Sequence, residues 1–219
     1  MKIVIIGQGG HSKVIEDIIL SYKENQIVGY LDDKYSTFTV FNGLYTGPIT
    51  AAQQLIHFHK DIKFIIAIGN NAIRKSVTEK LDLPDEYYAT LVHKTAVISS
   101  SVIIHIGTVI MANAVINAGS KIGQHTIINT ASVIEHDNSI GAFVHISPNA
   151  TLTGGVRVEE GVHIGAGATI IPNTLVEEWS VIGAGATVIN TVLPHTTSVG
   201  VPAKVRIKEG DKFVKYLHK

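Results

Sequence analysis

A chain of 219 residues, 45% hydrophobic and 16% charged, can bury a sizeable core in one large domain or two small ones. Eighteen basic residues balance eighteen acidic ones and cysteine is absent, which argues against a nucleic-acid binder and excludes disulfides, thiolate metal sites and a cysteine nucleophile. No apolar run approaches the roughly 18 residues of a membrane span, and the N-terminal one stops at Gly7, short of a signal-peptide core, so a cytoplasmic protein is expected.

In chain order, KIVIIG (2–7) is a β-branched run ending in glycine, the pattern of a buried parallel strand. HSKVIEDIILSY (11–22) then places Val14, Ile15, Ile18, Ile19 and Tyr22 at helical spacing. QIVGYLDD (26–33) predicts a second strand, a helical stretch follows around 50–59, KFIIAIGN (63–70) predicts a third strand, and AIRKSVTEKL (72–81) a helix. This alternation predicts a small Rossmann-like α/β domain over residues 1–90.

From Val92 the period changes to six. Every sixth residue from Val92 to Val188 is aliphatic, seventeen positions in succession, and four residues after each comes a mostly small one such as Ala96, Thr108, Ala114 or Ser120, with Asn138 the largest. A hexapeptide period predicts a parallel β-helix over residues 91–219, a triangular coil with three hexads per turn and a short C-terminal tail. Stacked coils bury a column that no single repeat could bury alone.

Three strand ends converge on one candidate crevice. In GQGGHS (7–12), Gly9 and Gly10 let backbone approach a ligand at a helix N-terminus, but Ser12 stands where a dinucleotide fingerprint has its third glycine. His11 is an unusual choice for a purely structural turn. Asp32 and Asp33 close the second strand and Gly69 the third, at the carboxyl edge where open α/β sheets bind ligands.

Ionisable residues break the repeat at NTASVIEHDNSIGAFVHIS (129–147). With Ile134 pointing inward, His136 faces outward on a flat side of the prism, next to Asp137 and Glu135. An imidazole titrates near neutrality and suits a general base, and whether Glu135 or Asp137 orients it stays open. His145 and His163 lie one coil apart and form an imidazole ladder.

The stretches GHSKVIEDI, LDD, AIGNNAIRK, VINAGSKIG, NTASVIEHD and GVPAK, spread in order along the chain, resemble the sugar O- and N-acetyltransferases of the sialic-acid acetyltransferase family. The branch they resemble most is the UDP-4-amino-sugar N-acetyltransferases of bacillosamine-type pathways. This resemblance implies a left-handed β-helix and homotrimers with acetyl-CoA bound between subunits, an exception to right-handed crossovers. It also implies acetyl transfer by direct attack of an amine, with no metal. His136 would be the base and Asp137 the acid that raises its basicity. Gly9, Gly10, His11, Asp32, Asp33 and Gly69 would hold the UDP, with Asn129 at the acceptor. His145, Ala166, Ala184 and Lys204 would contact the coenzyme, whose phosphates Arg206 and Lys208 also suit. Alternatives are a sugar O-acetyltransferase, a trimeric zinc carbonic anhydrase drawing on His105, His125, His136, His145 and His163, and a non-catalytic scaffold.

Overall fold

Aliphatic runs covered on both faces make the first layer. β1 (Lys2–Ile6), β2 (Gln26–Leu31) and β5 (Ile62–Ile66) pair in parallel, and Ile3, Val4, Ile5 and Ile6 are fully buried in this computed structural model, which describes residues 1–59 and 61–206. Lys208 lies outside the described residues. The sheet order is β3-β4-β2-β1-β5, where β4 (Leu44–Gly47) runs parallel to β2 and β3 (Thr39–Phe41) antiparallel to β4. Sequence periodicity does not anticipate this hairpin, because all three residues of β3 are exposed and carry no buried alternation. Its turn, Asn42-Gly43, has φ of 49° and 78°, as the hairpin-forming Asn-Gly pair favours.

The helices α1 (Gly10–Leu20), α2 (Ala52–Phe58) and α3 (Asn71–Leu81) cover the sheet. α1 buries Ser12, Ile15, Ile18 and Ile19 but leaves Val14 42% exposed, so its core face is narrower than the sequence pattern suggests. Tyr22 lies past the helix end, where its hydroxyl donates to Val92 O at 3.0 Å.

From Leu91 onward the chain makes two-residue strands at hexad spacing, with Thr197–Val199 as a three-residue last one, stacked in parallel into three sheets of seven, six and five strands. An antiparallel strand, Lys204–Val205, closes the largest sheet. The second residue of each strand points inward: from Ile110 to Val188 every sixth residue is at most 3% exposed, while Val92, Ile98 and Ile104 at the open end are partly buried. The first residue of each strand points outward. On two faces that leaves Val97 63% and Ile103 50% exposed, but on the third Val109 and Ile127 are 1% exposed because Ile3, Ile5, Ile15 and Ile18 pack against them. The α/β unit thus sits on one face of the prism and brings its crevice to the β-helix. Among the described residues no helix is long and apolar enough to cross a membrane.

Candidate functional site

The carboxyl ends of β1, β2 and β5 frame a crevice of about 430 Å³, lined by Gln8, Gly9, Gly10, His11, Asp32 and Asp33 together with Gly69 and Ile73. A Cβ placed at Gly9, Gly10 or Gly69 would meet no atom within 4 Å, so these glycines border open space rather than tight packing. Gly9 caps α1 with no side-chain hydrogen bond, which leaves the first amides of that helix free for an anion. The two acids have duties within the protein as well. Asp32 accepts from Gln8 N at 2.7 Å and Lys34 N at 3.0 Å, and Asp33 from Ile49 N at 3.1 Å and Lys80 Nζ at 3.1 Å. Partial burial pushes the Asp33 carboxyl up, but the Lys80 and Ile49 hydrogen bonds outweigh it and hold it below the usual value.

Behind Gly69 lies the seam between the two units. Asn129 Oδ1 accepts from Thr130 N at 2.8 Å, which turns its amide nitrogen toward His145 Nε2 at 3.0 Å. The Asn129 amide donates, His145 Nε2 is the acceptor, and the His145 Nδ1–H donates to Gly69 O at 3.3 Å. Both ring nitrogens are thus engaged. His11 and His163 flank this ring with centroids at 6.3 and 4.9 Å. The structure brings His11, Gly69, Asn129 and His145 together, with His163 beside them, although the sequence reading divided them between nucleotide and coenzyme. Burial, followed by the neighbouring His163, Arg74 and His11, presses the His145 pKa down to about 3, and burial with Arg74 takes His11 to about 4.

His125 belongs to the same seam, 1% exposed, stacked on Phe143 at 5.3 Å and edge-on to Tyr88 at 4.6 Å. Burial and the Arg74 charge lower its pKa from 6.5 to about 4. Between those values the unfolded chain binds more protons than the folded one. Stability from this group is therefore complete above pH 6.5 and falls as pH drops toward 4. His125→Phe keeps the stack and removes the proton site. In denaturant titrations it should retain about 2 kcal/mol of the stability the parent protein loses between pH 7 and pH 5.

His136 and Asp137 occupy a corner of the prism, the turn between the strands Val133–Ile134 and Ser139–Ile140, rather than a flat side. Asp137 adopts φ 60°, the left-handed conformation shared by His125, Phe143 and Trp179 at other corners. Its Oδ2 lies 2.8 Å from His136 Nδ1, whereas Glu135 turns away to accept from Asn117 Nδ2 at 2.9 Å. The His136 ring lies over Gly154 one coil on, where a Cβ would stand 2.6 Å from Nε2, so glycine there makes room for the imidazole. Asn138, the outsized small residue, donates from Nδ2 to the carbonyls of Glu135, His136 and Thr153 and so fastens this corner from inside.

Ala166 and Ala184 are exposed one coil apart, on the corner that follows the His145 sheet. Lys204 is exposed on the closing strand, with Arg206 just past it. Within one chain this corner and the His136 corner are different edges of the prism. Among the described residues of one chain no three histidine, cysteine or acidic groups gather in a geometry that could hold a metal ion.

Sequence reasoning missed Arg74, Asn71 and Trp179. Asn71 Nδ2 donates to the carbonyls of Gly161 and Val162, both at 3.0 Å, tying α3 to the β-helix. Trp179 folds over Gly161 and, with Val181, His163, His145 and Asn70, lines a second hollow of about 460 Å³ that adjoins the crevice at Gly69.

Residues 2–81 match the family described as the PglD N-terminal domain, and residues 155–190 match the bacterial transferase hexapeptide (six repeats). UDP-N-acetylbacillosamine N-acetyltransferase of Bacillus subtilis (strain 168) is 45% identical over 107 residues, covering 49% of this chain and 50% of the relative. That match spans about half the length of the curated relative. A mutant of perosamine N-acetyltransferase from Caulobacter crescentus, solved with CoA and GDP-perosamine, superposes with a TM-score of 0.85 at 30% identity, covering 95% of this chain and 98% of that one. The acetyltransferase domain of PglB from Neisseria gonorrhoeae FA1090 superposes with a TM-score of 0.80 at 34% identity, covering 94% and 99%.

Proposed function

Because the chain belongs to the hexapeptide-repeat sugar N-acetyltransferases that carry a PglD-type N-terminal domain, we propose that it transfers an acetyl group from acetyl-CoA to the 4-amino group of a UDP-amino sugar. The product serves a surface glycan or exopolysaccharide, and the reaction takes place in the cytoplasm. Residues 1–90 hold the acceptor and residues 91–219 carry out the transfer.

One observation carries the chemistry. Asp137 engages His136 Nδ1, so the proton sits on that nitrogen and Nε2 presents a lone pair at an exposed corner. The neutral amine attacks the thioester carbonyl, Nε2 takes a proton from the attacking nitrogen, and collapse of the tetrahedral intermediate breaks the C–S bond and expels the CoA thiolate, which takes up that proton from the imidazolium. UDP lies in the crevice with its phosphates at Gly9, Gly10 and His11, and Asp32 and Asp33 face the nucleoside. Asn129 borders the acceptor, and the His145 ring, its nitrogens engaged, borders the thioester. Ala166, Ala184 and Lys204 line the coenzyme's path.

We assign the working form as a homotrimer with shared sites. Two features support it: the exposed Val97, Ile103 and Val181 on outward faces, and the separation of the His136 and Ala166 corners on one prism. A neighbouring prism supplies the missing wall.

The test is acetyl-CoA consumption against UDP- and GDP-linked 4-amino sugars, a CMP-sugar and free sialic acid. An amide product formed fastest with a UDP-4-amino sugar is expected. Acetylation on oxygen, or turnover with the sialic acids alone, would overturn the acceptor.

A further inference from the structure

Arg74 is a fully enclosed cation, 1% exposed, on the inner face of α3. Its Nε donates to His125 O at 2.7 Å. Nη1 donates to Ile68 O at 2.9 Å and Gly69 O at 3.2 Å, and Nη2 to Asn71 Oδ1 at 2.9 Å, Phe143 O at 2.9 Å and Val144 O at 3.2 Å. Every acceptor is neutral, and among the described residues no carboxylate pairs with it. Burial lowers its pKa to about 9, which leaves it charged at neutral pH. Enclosing an unpaired ion is costly, and a neutral side chain could have donated to several of these carbonyls at less cost. The retained charge calls for a use.

The crevice next to it supplies one. Its lining contains two carboxylates and no lysine or arginine, yet the acceptor proposed above carries a diphosphate. Two of the carbonyls held by the guanidinium, Ile68 and Gly69, belong to crevice-lining residues, and the Arg74 charge already bears on His11 in the same wall.

We infer that Arg74 is a positioning residue for the acceptor's diphosphate, an enclosed and unpaired cation behind Gly69 that attracts the phosphates through the crevice wall without touching them. It complements the free amides at the start of α1, which act by contact. The inference rests on the nucleotide reading of the crevice.

Titration calorimetry of the 219-residue chain with UDP, uridine and acetyl-CoA tests it. In Arg74→Gln, which keeps amide donors but loses the charge, UDP should bind on the order of tenfold more weakly while uridine and acetyl-CoA hold their affinities. Arg74→Lys keeps the charge and gives up the planar fork, so the ratio of UDP to uridine affinity should persist. If both variants lose UDP and uridine in equal measure, Arg74 only braces the seam and the inference falls. Should the glutamine variant not fold, the lysine variant decides, because a collapsed ratio there would overturn the role of charge. No binding of UDP by the parent protein would bring down the nucleotide reading itself, and this inference with it.

Discussion

His136→Ala should lower turnover by on the order of 10²- to 10⁴-fold, the usual contribution of a positioned general base, while the thermal midpoint and acetyl-CoA affinity stay close to those of the parent. The side chain is 64% exposed and its one hydrogen-bonding partner is Asp137, so its removal takes nothing from the aliphatic column. His145 is not placed to take over. His145 gives its Nε2 lone pair to Asn129, and its pKa of about 3 makes it a poor proton acceptor at neutral pH. Asp137→Ala should cost less, because it loosens the orientation and tautomer of the ring but does not remove the imidazole. Steady-state kinetics at saturating acceptor and acetyl-CoA read both effects. An alanine variant at 136 with parental kcat would remove the base from this corner.

Ile146→Ala should lower folding stability by roughly 2–5 kcal/mol, the cost of an enclosed isoleucine whose neighbours cannot collapse into the gap. Ile146 is fully buried between Ile128 and Ile164 in consecutive coils, each held in register by parallel pairing. The equivalent change at Ile98, partly buried at the open end, should cost clearly less. Urea titrations at fixed protein concentration, followed by the single tryptophan, Trp179, give the comparison. Equal losses at the two positions would contradict a column whose interior is set by stacking on both sides.

The hexad was legible because interior geometry leaves no choice: from Ile110 to Val188 each inward position is closed on all sides, so only an aliphatic residue satisfies it, and the repeat survives translation into sequence. Asn138 could be recognised as an exception but not explained, since its three carbonyl partners lie on the corner it fastens and on the next coil. His136 and Asp137 could be found by their chemistry, yet hexad counting put them on a flat side, because it does not register the left-handed Asp137 that makes the corner. The choice between Glu135 and Asp137 needed coordinates as well, for Asn117, eighteen residues away, draws Glu135 off. Arg74 was invisible for a different reason. On α3 it precedes Lys75, Glu79 and Lys80 and reads as part of a solvated face, and its burial comes from the carbonyls of residues 125 and 143, 51 and 69 positions along the chain. The β3–β4 hairpin was overlooked even though Asn42-Gly43 announces it locally.

The coil also acts as a ruler. His145 and His163 pair in register on neighbouring strands, their ring centroids 4.9 Å apart, close to the ordinary strand spacing. Adding or removing one whole coil would slide everything beyond it by about 4.8 Å along the axis and keep each side chain on its own face. Adding or removing one hexad would instead rotate the downstream chain by one of the three faces. Ala166, Ala184 and Lys204 would then travel to a different edge, out of step with His136, while the aliphatic column stayed unbroken. Length changes in this half of the molecule therefore come in two kinds, translations and rotations, and a single-hexad change would leave the column continuous yet carry the residues proposed above for acyl transfer to mismatched edges.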